Sequence, residues 1–230
     1  MELENHLWII SNYNQDPSDV IHELVEGQFL IFNQGKKSFI PEKYRNDEFY
    51  RESLHSGHNI SDYLKYIIDN YHNLPNSLGF IKGNLFPRHI SKEIFLKRKK
   101  LKGFVPLYSD VETFSPNYIR FLKTDLMLMA QQVAPGYYLE KTSNWYCKTK
   151  NKGEYFPKLE DFFHHFFNRP LPRYIPFVPG ACMIVPKCNI IRWPLSLYKE
   201  IYKAVTYSFF PVESYHAERC MLYLFDFPSE

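Results

Sequence analysis

From Ile60 to Leu74 the apolar residues Ile60, Tyr63, Leu64, Ile67, Ile68, Tyr71 and Leu74 recur at three- and four-residue steps, and Pro75 follows at once. That spacing draws a single apolar stripe along a helix, and proline stops it because it lacks the N–H the ladder needs. Asn59 suits the cap, and Asp62 falls in the first turn, where the helix dipole favours a carboxylate. Short apolar runs flank this helix: Leu7-Trp8-Ile9-Ile10 and Phe29-Leu30-Ile31-Phe32 before it, Leu78-Gly79-Phe80-Ile81 after it. Each reads as a strand. Another helix is expected between the first two, capped by Asp16, opened by Pro17, striped by Val20, Ile21, Leu24 and Val25, and stopped at Gly27. Strands alternating with helices predict an α/β fold with a largely parallel central sheet flanked by helices.

Further along, the pattern is coarser. Leu126, Met127, Leu128 and Met129 predict a buried helix near 117–132, and Phe162, Phe163, Phe166 and Phe167 around His164-His165 predict another. Ala181-Cys182-Met183-Ile184-Val185 is apolar without alternation, as in a strand buried on both faces. Pro194 opens a helix striped by Tyr198, Ile201, Tyr202 and Val205, and Ser214 suits the cap of a last helix ending near Phe225. Aromatic residues make up 18% of the 230, against only 9 glycines. That bulk suits one large core and excludes a disordered or collagenous chain.

Several function classes drop out. The net charge of +3 makes no demand for a nucleic-acid partner. The basic run Lys97-Arg98-Lys99-Lys100 with Lys102 reads as a solvated helix end, or alternatively as a patch giving peripheral membrane association through 97–102. Cys147, Cys182, Cys188 and Cys220 lack the paired spacing of a structural zinc site and fit a reducing, cytoplasmic compartment. No apolar run nears the roughly 20 residues of a transmembrane segment, and the acidic start Met1-Glu2-Leu3-Glu4 is unlike a secretory signal. Neither a glycine-rich phosphate loop nor a Gly-x-Ser-x-Gly elbow is present.

Candidate site residues gather where the strands end. Ser11-Asn12-Tyr13-Asn14, Asn33-Gln34-Gly35-Lys36-Lys37 and Lys82-Gly83-Asn84 follow the three strands. In open parallel sheets ligands bind outside the carboxyl ends of the strands, so Asn12, Tyr13, Asn33, Lys36, Lys82 and Asn84 are the leading binding candidates. On the last helix Glu218 shares a face with Tyr215, Met221, Leu222 and Phe225. Desolvation there would raise its pKa toward that of a general base, and a structural ion pair is the alternative. Asp110 and Glu112, two apart, point the same way in extended chain and could hold a divalent cation, manganese or magnesium.

Leu54-His55-Ser56-Gly57-His58-Asn59-Ile60-Ser61-Asp62-Tyr63-Leu64, continuing into Ile67-Ile68-Asp69-Asn70-Tyr71 and Leu74-Pro75, resembles a segment of a glycosyltransferase family. Phe80-Ile81-Lys82-Gly83-Asn84 resembles that family's next strand, and Pro179 to Pro186 with Ala217-Glu218-Arg219 its Gly-Ala strand and Glu-Arg helix. The resemblance covers about a third of the chain. It departs from the pattern at His58 (usually Arg), at Asn59 (usually acidic) and in having no Asp-x-Asp. It implies one GT-A-like domain, with a nucleotide-sugar-binding half over 1–115 and an acceptor-binding half over 116–230. It further implies transfer of sugar from a nucleotide-sugar donor to a glycan acceptor; an inverting transfer needs a general base near the acceptor, and Glu218 is the expected one. Gly57, His58, Asn59 and Arg88 would join the donor site, and Gly180, Trp193 and Arg219 the acceptor site. The aromatic surplus after residue 100, in Tyr137-Tyr138, Trp145-Tyr146, Tyr155-Phe156, the Phe162–Phe167 cluster and Trp193, would then offer sugar-stacking rings. A non-catalytic glycan- or nucleic-acid-binding module on the same scaffold is the alternative.

Overall fold

The computed structural model describes residues 5–24, 28–109, 130–141 and 153–226. Its strands are β1 (His6–Asn12), β2 (Phe29–Asn33), β3 (Tyr50–Glu52), β4 (Ser77–Lys82), β5 (Val105–Pro106), β6 (Ala130–Ala134), β7 (Tyr137–Lys141), β8 (Tyr174–Phe177) and β9 (Met183–Pro186). Six of them form one sheet in the order β3-β2-β1-β4-β9-β5, and β6-β7-β8 form a small antiparallel sheet. The contacts β3–β2, β2–β1 and β1–β4 are parallel, and β9 runs antiparallel to both of its neighbours. A strand from the second half of the chain thus completes the sheet begun by the first.

Alternation along the strands puts apolar side chains on both faces. Ile9, Leu78 and Phe80 join one buried cluster; Trp8, Ile10, Phe29, Ile31 and Ile81 join the other. The helices are α1 (Ser18–Ile21), α2 (His58–Asn70), α3 (Lys92–Arg98), α4 (Leu159–Phe167), α5 (Lys187–Ile190), α6 (Leu195–Val205) and α7 (Val212–Phe225). Residues of α2, α4, α6 and α7 build the first cluster, and those of α1 and α3 build the second. Helices on both faces explain why β1 and β4 read as almost uninterrupted apolar runs.

Local details differ from the sequence expectations in physically simple ways. The first helix is a single turn: Asp16 accepts hydrogen bonds from the Ser18 N–H at 2.9 Å and hydroxyl at 2.6 Å, and Val20 and Ile21 are buried. Val25 and Gly27 lie outside the described residues. Gly57, not Asn59, caps α2, with left-handed φ of 72°; a Cβ there would come within 2.6 Å of the Val205 carbonyl. Asp62 consequently lies beyond the first turn, fully buried. The helix expected near 117–132 falls mostly outside the described residues, and its last residues, 130–132, belong to strand β6. Pro211 precedes α7, and Ser214 sits inside it, its hydroxyl donating to the Pro211 carbonyl at 2.7 Å.

The aromatic surplus is largely core. Phe162, Phe163, Phe166 and Phe167 are all buried, and Phe163 and Phe167 meet Tyr223 of α7 edge-on or tilted. Each such ring contributes on the order of 2 kcal/mol by leaving water. His164 and His165 occupy the exposed face of α4. These phenylalanines therefore bind α4 to α7 and offer no surface to a sugar. Trp145 and Tyr146 lie outside the described residues.

Candidate functional site

Because β1, β2 and β4 are parallel and adjacent, their carboxyl ends arrive together. Asn12 pairs with Asn33 and Ser11 with Lys82 in the registers of β1 with β2 and of β1 with β4. A cleft of about 280 Å³ opens above them, lined by Ser11, Tyr13, Gln34, Lys82, Asn84 and Arg88, with His55, His58, Asn59 and His89 also on its wall. Phe209 and Phe210, from the connection between α6 and α7, complete its lining. The Ser56 hydroxyl donates to the Ser208 carbonyl and holds that connection against the start of α2.

Two layers can be told apart. Asn12 and Asn33 are buried and serve the scaffold: Asn12 donates its amide to Asn33 at 3.1 Å and to the Gln15 carbonyl at 2.9 Å, and Asn33 donates to the Gly35 carbonyl at 2.7 Å. Neither lines the cleft, which corrects their expected role in binding. Gly83 is required beneath them, since a Cβ would come within 2.0 Å of Asn12 Oδ1. Lys36 is exposed in a turn where Asn14 accepts its N–H at 2.8 Å, and it too is off the cleft. Lys82 and Arg88 do line it, and among the described residues neither side chain has an ion-pair or hydrogen-bond partner.

At the rim, rings follow one another. Tyr13 and His55 lie 5.0 Å apart with planes at 30°, and His55 meets Phe209 edge-on at 4.5 Å. Tyr13 and Phe209 are 53% and 57% exposed, so much of each ring is accessible to a planar ligand. His55, Phe209 and Phe210 carried no periodic signal in the sequence, because they sit in connections.

A polar chain links the cleft to α7. Asn59 donates to the Gly180 carbonyl at 3.0 Å, the Gly180 N–H donates to Glu218 at 3.1 Å, and Arg219 donates to the same Glu218 oxygen at 3.0 Å. Gly180 has φ of 76° and stands so close to His89 that a Cβ would meet its ring at 2.8 Å. Burial pushes Glu218 up, yet Arg219, Lys82, the Gly180 N–H and His58 together hold its pKa below the ordinary value. The carboxylate is thus kept ionised, opposite to the upward shift expected from its apolar face. Burial, aided by Lys82, pushes His58 down to about 4; burial with Lys82 and Arg88 pushes His89 well below its ordinary value. Both rings are neutral at pH 7.

Other expected residues are placed elsewhere. Trp193 packs on Phe167 and donates to the Leu224 carbonyl at 3.1 Å. It follows β9, whose end at Pro186 pairs with Ser77 at the start of β4, so it lies at the opposite end of the sheet from the cleft. Arg219 is buried with its guanidinium 4.2 Å from the centre of the Phe177 ring, and it does not line the cleft. The basic run is mostly engaged: Lys97 pairs with Glu93 at 2.6 Å, buried Arg98 donates to the Pro106 and Tyr108 carbonyls, and Lys99 donates to the Glu23 carbonyl. Lys100 and Lys102 remain exposed. Asp110 and Glu112 lie outside the described residues, among which no three His, Cys, Asp or Glu side chains converge on a metal position. No helix among the described residues is long and apolar enough to cross a membrane.

Comparison with curated proteins and with solved structures returned no match. A family described as a protein of unknown function, DUF3431, matches residues 9–227. The chain belongs to that family.

Proposed function

We propose that this member of the DUF3431 family is a glycosyltransferase that moves a sugar, with inversion, from a nucleotide-sugar donor to a glycan acceptor on a GT-A-like scaffold. One observation carries the reading: a single cleft at the parallel strand ends joins two cations without ion-pair partners among the described residues, Lys82 and Arg88, to an open aromatic rim of Tyr13, His55 and Phe209. A nucleoside diphosphate has those two parts, a flat base for the rings and a polyanion for the cations.

The chemistry asks little more of the site. The bond between the anomeric carbon and the diphosphate oxygen breaks, and its electron pair leaves with the diphosphate. Fixed cations at the leaving oxygens stabilise that charge as it develops. The acceptor oxygen forms the new bond, and its proton passes to a base. Glu218 is the candidate: it does not itself line the cleft, but it is ionised at neutral pH and close enough to Lys82 and His58, both on the cleft wall, to feel their charges.

Isothermal titration with uridine, guanosine and thymidine diphosphate sugars tests the reading, with manganese and with chelator. At least one should bind, and Lys82→Ala should weaken it about ten-fold or more, as loss of a charged hydrogen bond does. The manganese arm shows whether a cation acting through Asp110 and Glu112 adds to the two fixed charges. Absence of binding by all three donors under both conditions would overturn the proposal.

A further inference from the structure

We propose that Asp62 is a positioning residue that couples binding of an anionic ligand in the cleft to the uptake of one proton beneath its floor. This coupling presupposes the anion-binding reading of the cleft. Asp62 is fully buried, and its two oxygens accept from side chains at the ends of all three neighbouring parallel strands. Ser11, at the end of β1, donates to Oδ2 at 2.5 Å; Gln34, just past β2, donates to Oδ2 at 3.0 Å; Ser53, just past β3, donates to Oδ1. Gln34 also donates to the His58 carbonyl at 2.6 Å, which fixes the start of α2. Ser11 and Gln34 both line the cleft, so the carboxyl holds part of its floor from below.

The charge on Asp62 decides what Ser11 shows to a ligand. A serine hydroxyl has one proton and two lone pairs. With Asp62 ionised, the Ser11 proton points down at the carboxylate, and only lone pairs face the cleft above a buried negative charge. An anion there is repelled twice over. A proton on Oδ1, where the Ser53 hydroxyl can accept it, removes only the charge; on Oδ2 the carboxyl O–H needs another acceptor, and the Gln34 amide N–H cannot be one. Ser11 must turn to accept it, which frees its own proton to point into the cleft. The fixed charge vanishes in the same step. By linkage, an anion that favours the protonated state is itself favoured by protonation, by the same factor.

The surroundings put this change within reach. Burial pushes Asp62 up to about 7, against the opposing pull of Ser11, Ser53 and Gln34. Among the described residues, the strand side offers those three neutral groups. Tyr63 on α2 and Tyr202 on α6 are the titratable neighbours, and burial pushes both hydroxyls up, away from neutrality. His58, one turn before Asp62 on α2, and His89 are held neutral by burial with Lys82, and Glu218 is held ionised. His55 is also on the cleft wall, so the test replaces it throughout.

Sulfate, whose charge is constant across the range, is the first probe. Its stabilisation of His55→Gln protein is read by thermal shift against chloride at equal ionic strength, from about pH 5.5 to about 8.5. Sulfate affinity should rise as pH falls through neutrality, by at most about ten-fold per pH unit for one linked proton. In the His55→Gln, Asp62→Asn double variant the profile should be flat. Asparagine keeps the shape, with its oxygen accepting from Ser11 and Gln34 and its amide donating to Ser53, so the fold survives. The nucleotide sugars should give the same pair of profiles. A sulfate effect equal at all pH values, or a pH dependence that persists in the double variant, overturns the coupling while leaving the anion site standing. Failure of sulfate and of every nucleotide sugar at every pH, in protein that keeps His55 as well as in His55→Gln, overturns the cleft reading and the coupling together.

Discussion

The Gly180 N–H donates to the Glu218 carboxylate at 3.1 Å, across 38 positions of sequence. Through this bond the approach to β9, the start of α2 and the last helix meet beside the cleft, because Asn59 holds the Gly180 carbonyl in turn. Glu218→Gln keeps the size of the side chain but removes the anion that Arg219, buried to 4% side-chain exposure, faces at 3.0 Å. Under the proposed function, sugar transfer should fall about a hundred-fold or more through loss of the proposed base, and stability should drop by about 1–3 kcal/mol.

Glu218 also has an acid signature. Its folded pKa lies below its ordinary value, so its contribution to stability is present above the unfolded value of 4.5 and is lost as pH falls through the folded one. Urea denaturation from neutral pH downward should show that acid limb in the native protein and a shallower one in Glu218→Gln.

Asp62 should give a slope of opposite sign. Its folded pKa, about 7, stands above the unfolded 3.8, so between those values the folded state holds a proton that the unfolded state has lost. Stability therefore declines as pH rises from about 4 to about 7 and levels off above. Asp62→Asn should remove that decline and be the more stable protein at pH 8, as measured by urea midpoints.

Lys82 separates binding from folding. Its ammonium makes no ion pair among the described residues and only helps Arg219 to hold Glu218 ionised, so Lys82→Ala should change stability by no more than about 1 kcal/mol. Gly83→Ala, next in the chain, should do the reverse. Its Cβ would press on Asn12 Oδ1, whose side chain is held by Gln15 and Asn33, at an overpacking cost of about 1–3 kcal/mol. Thermal melts of the two variants side by side would check the contrast.

Glu213 should behave as a structural carboxylate. Fully buried in the first turn of α7, it accepts the Tyr155 N–H at 2.9 Å and the Phe156 N–H at 3.0 Å on one oxygen, and the Tyr207 hydroxyl at 2.8 Å on the other. Glu213→Ala leaves all three donors orphaned and should cost roughly 2–5 kcal/mol in chemical denaturation. Glu213→Gln should cost far less, because its oxygen can serve both N–H groups while the Tyr207 hydroxyl turns to accept the amide.

Periodicity revealed what periodicity encodes. The stripe from Ile60 to Leu74, the runs that became β1, β2 and β4, and the helix opened by Pro194 are each set by neighbours along the chain, and all are present. Lys82, Asn84 and Tyr13 could be assigned to the cleft because strand ends are readable and a parallel sheet brings them to one edge, whereas His58 and Asn59, at the start of α2, are expected there only from the family resemblance. Asn12 and Asn33 sit at the same ends and looked equivalent. Only packing shows that their amides close on one another. His55, Phe209 and Phe210 had no such signal, since a ring in a connection is placed by what it leans on.

The sequence by itself determined that this chain is an α/β protein with a polar edge at its parallel strand ends, because side-chain period and turn chemistry are local properties. The tertiary structure alone decided the ionisation of its carboxyls. Asp62 and Glu218 lie on helix faces that look alike in one dimension. Burial with only neutral donors pushes the first up to about 7, whereas Arg219 and Lys82, brought close in space, hold the second down. Desolvation and charge depend on distances through space, which the order of residues does not contain.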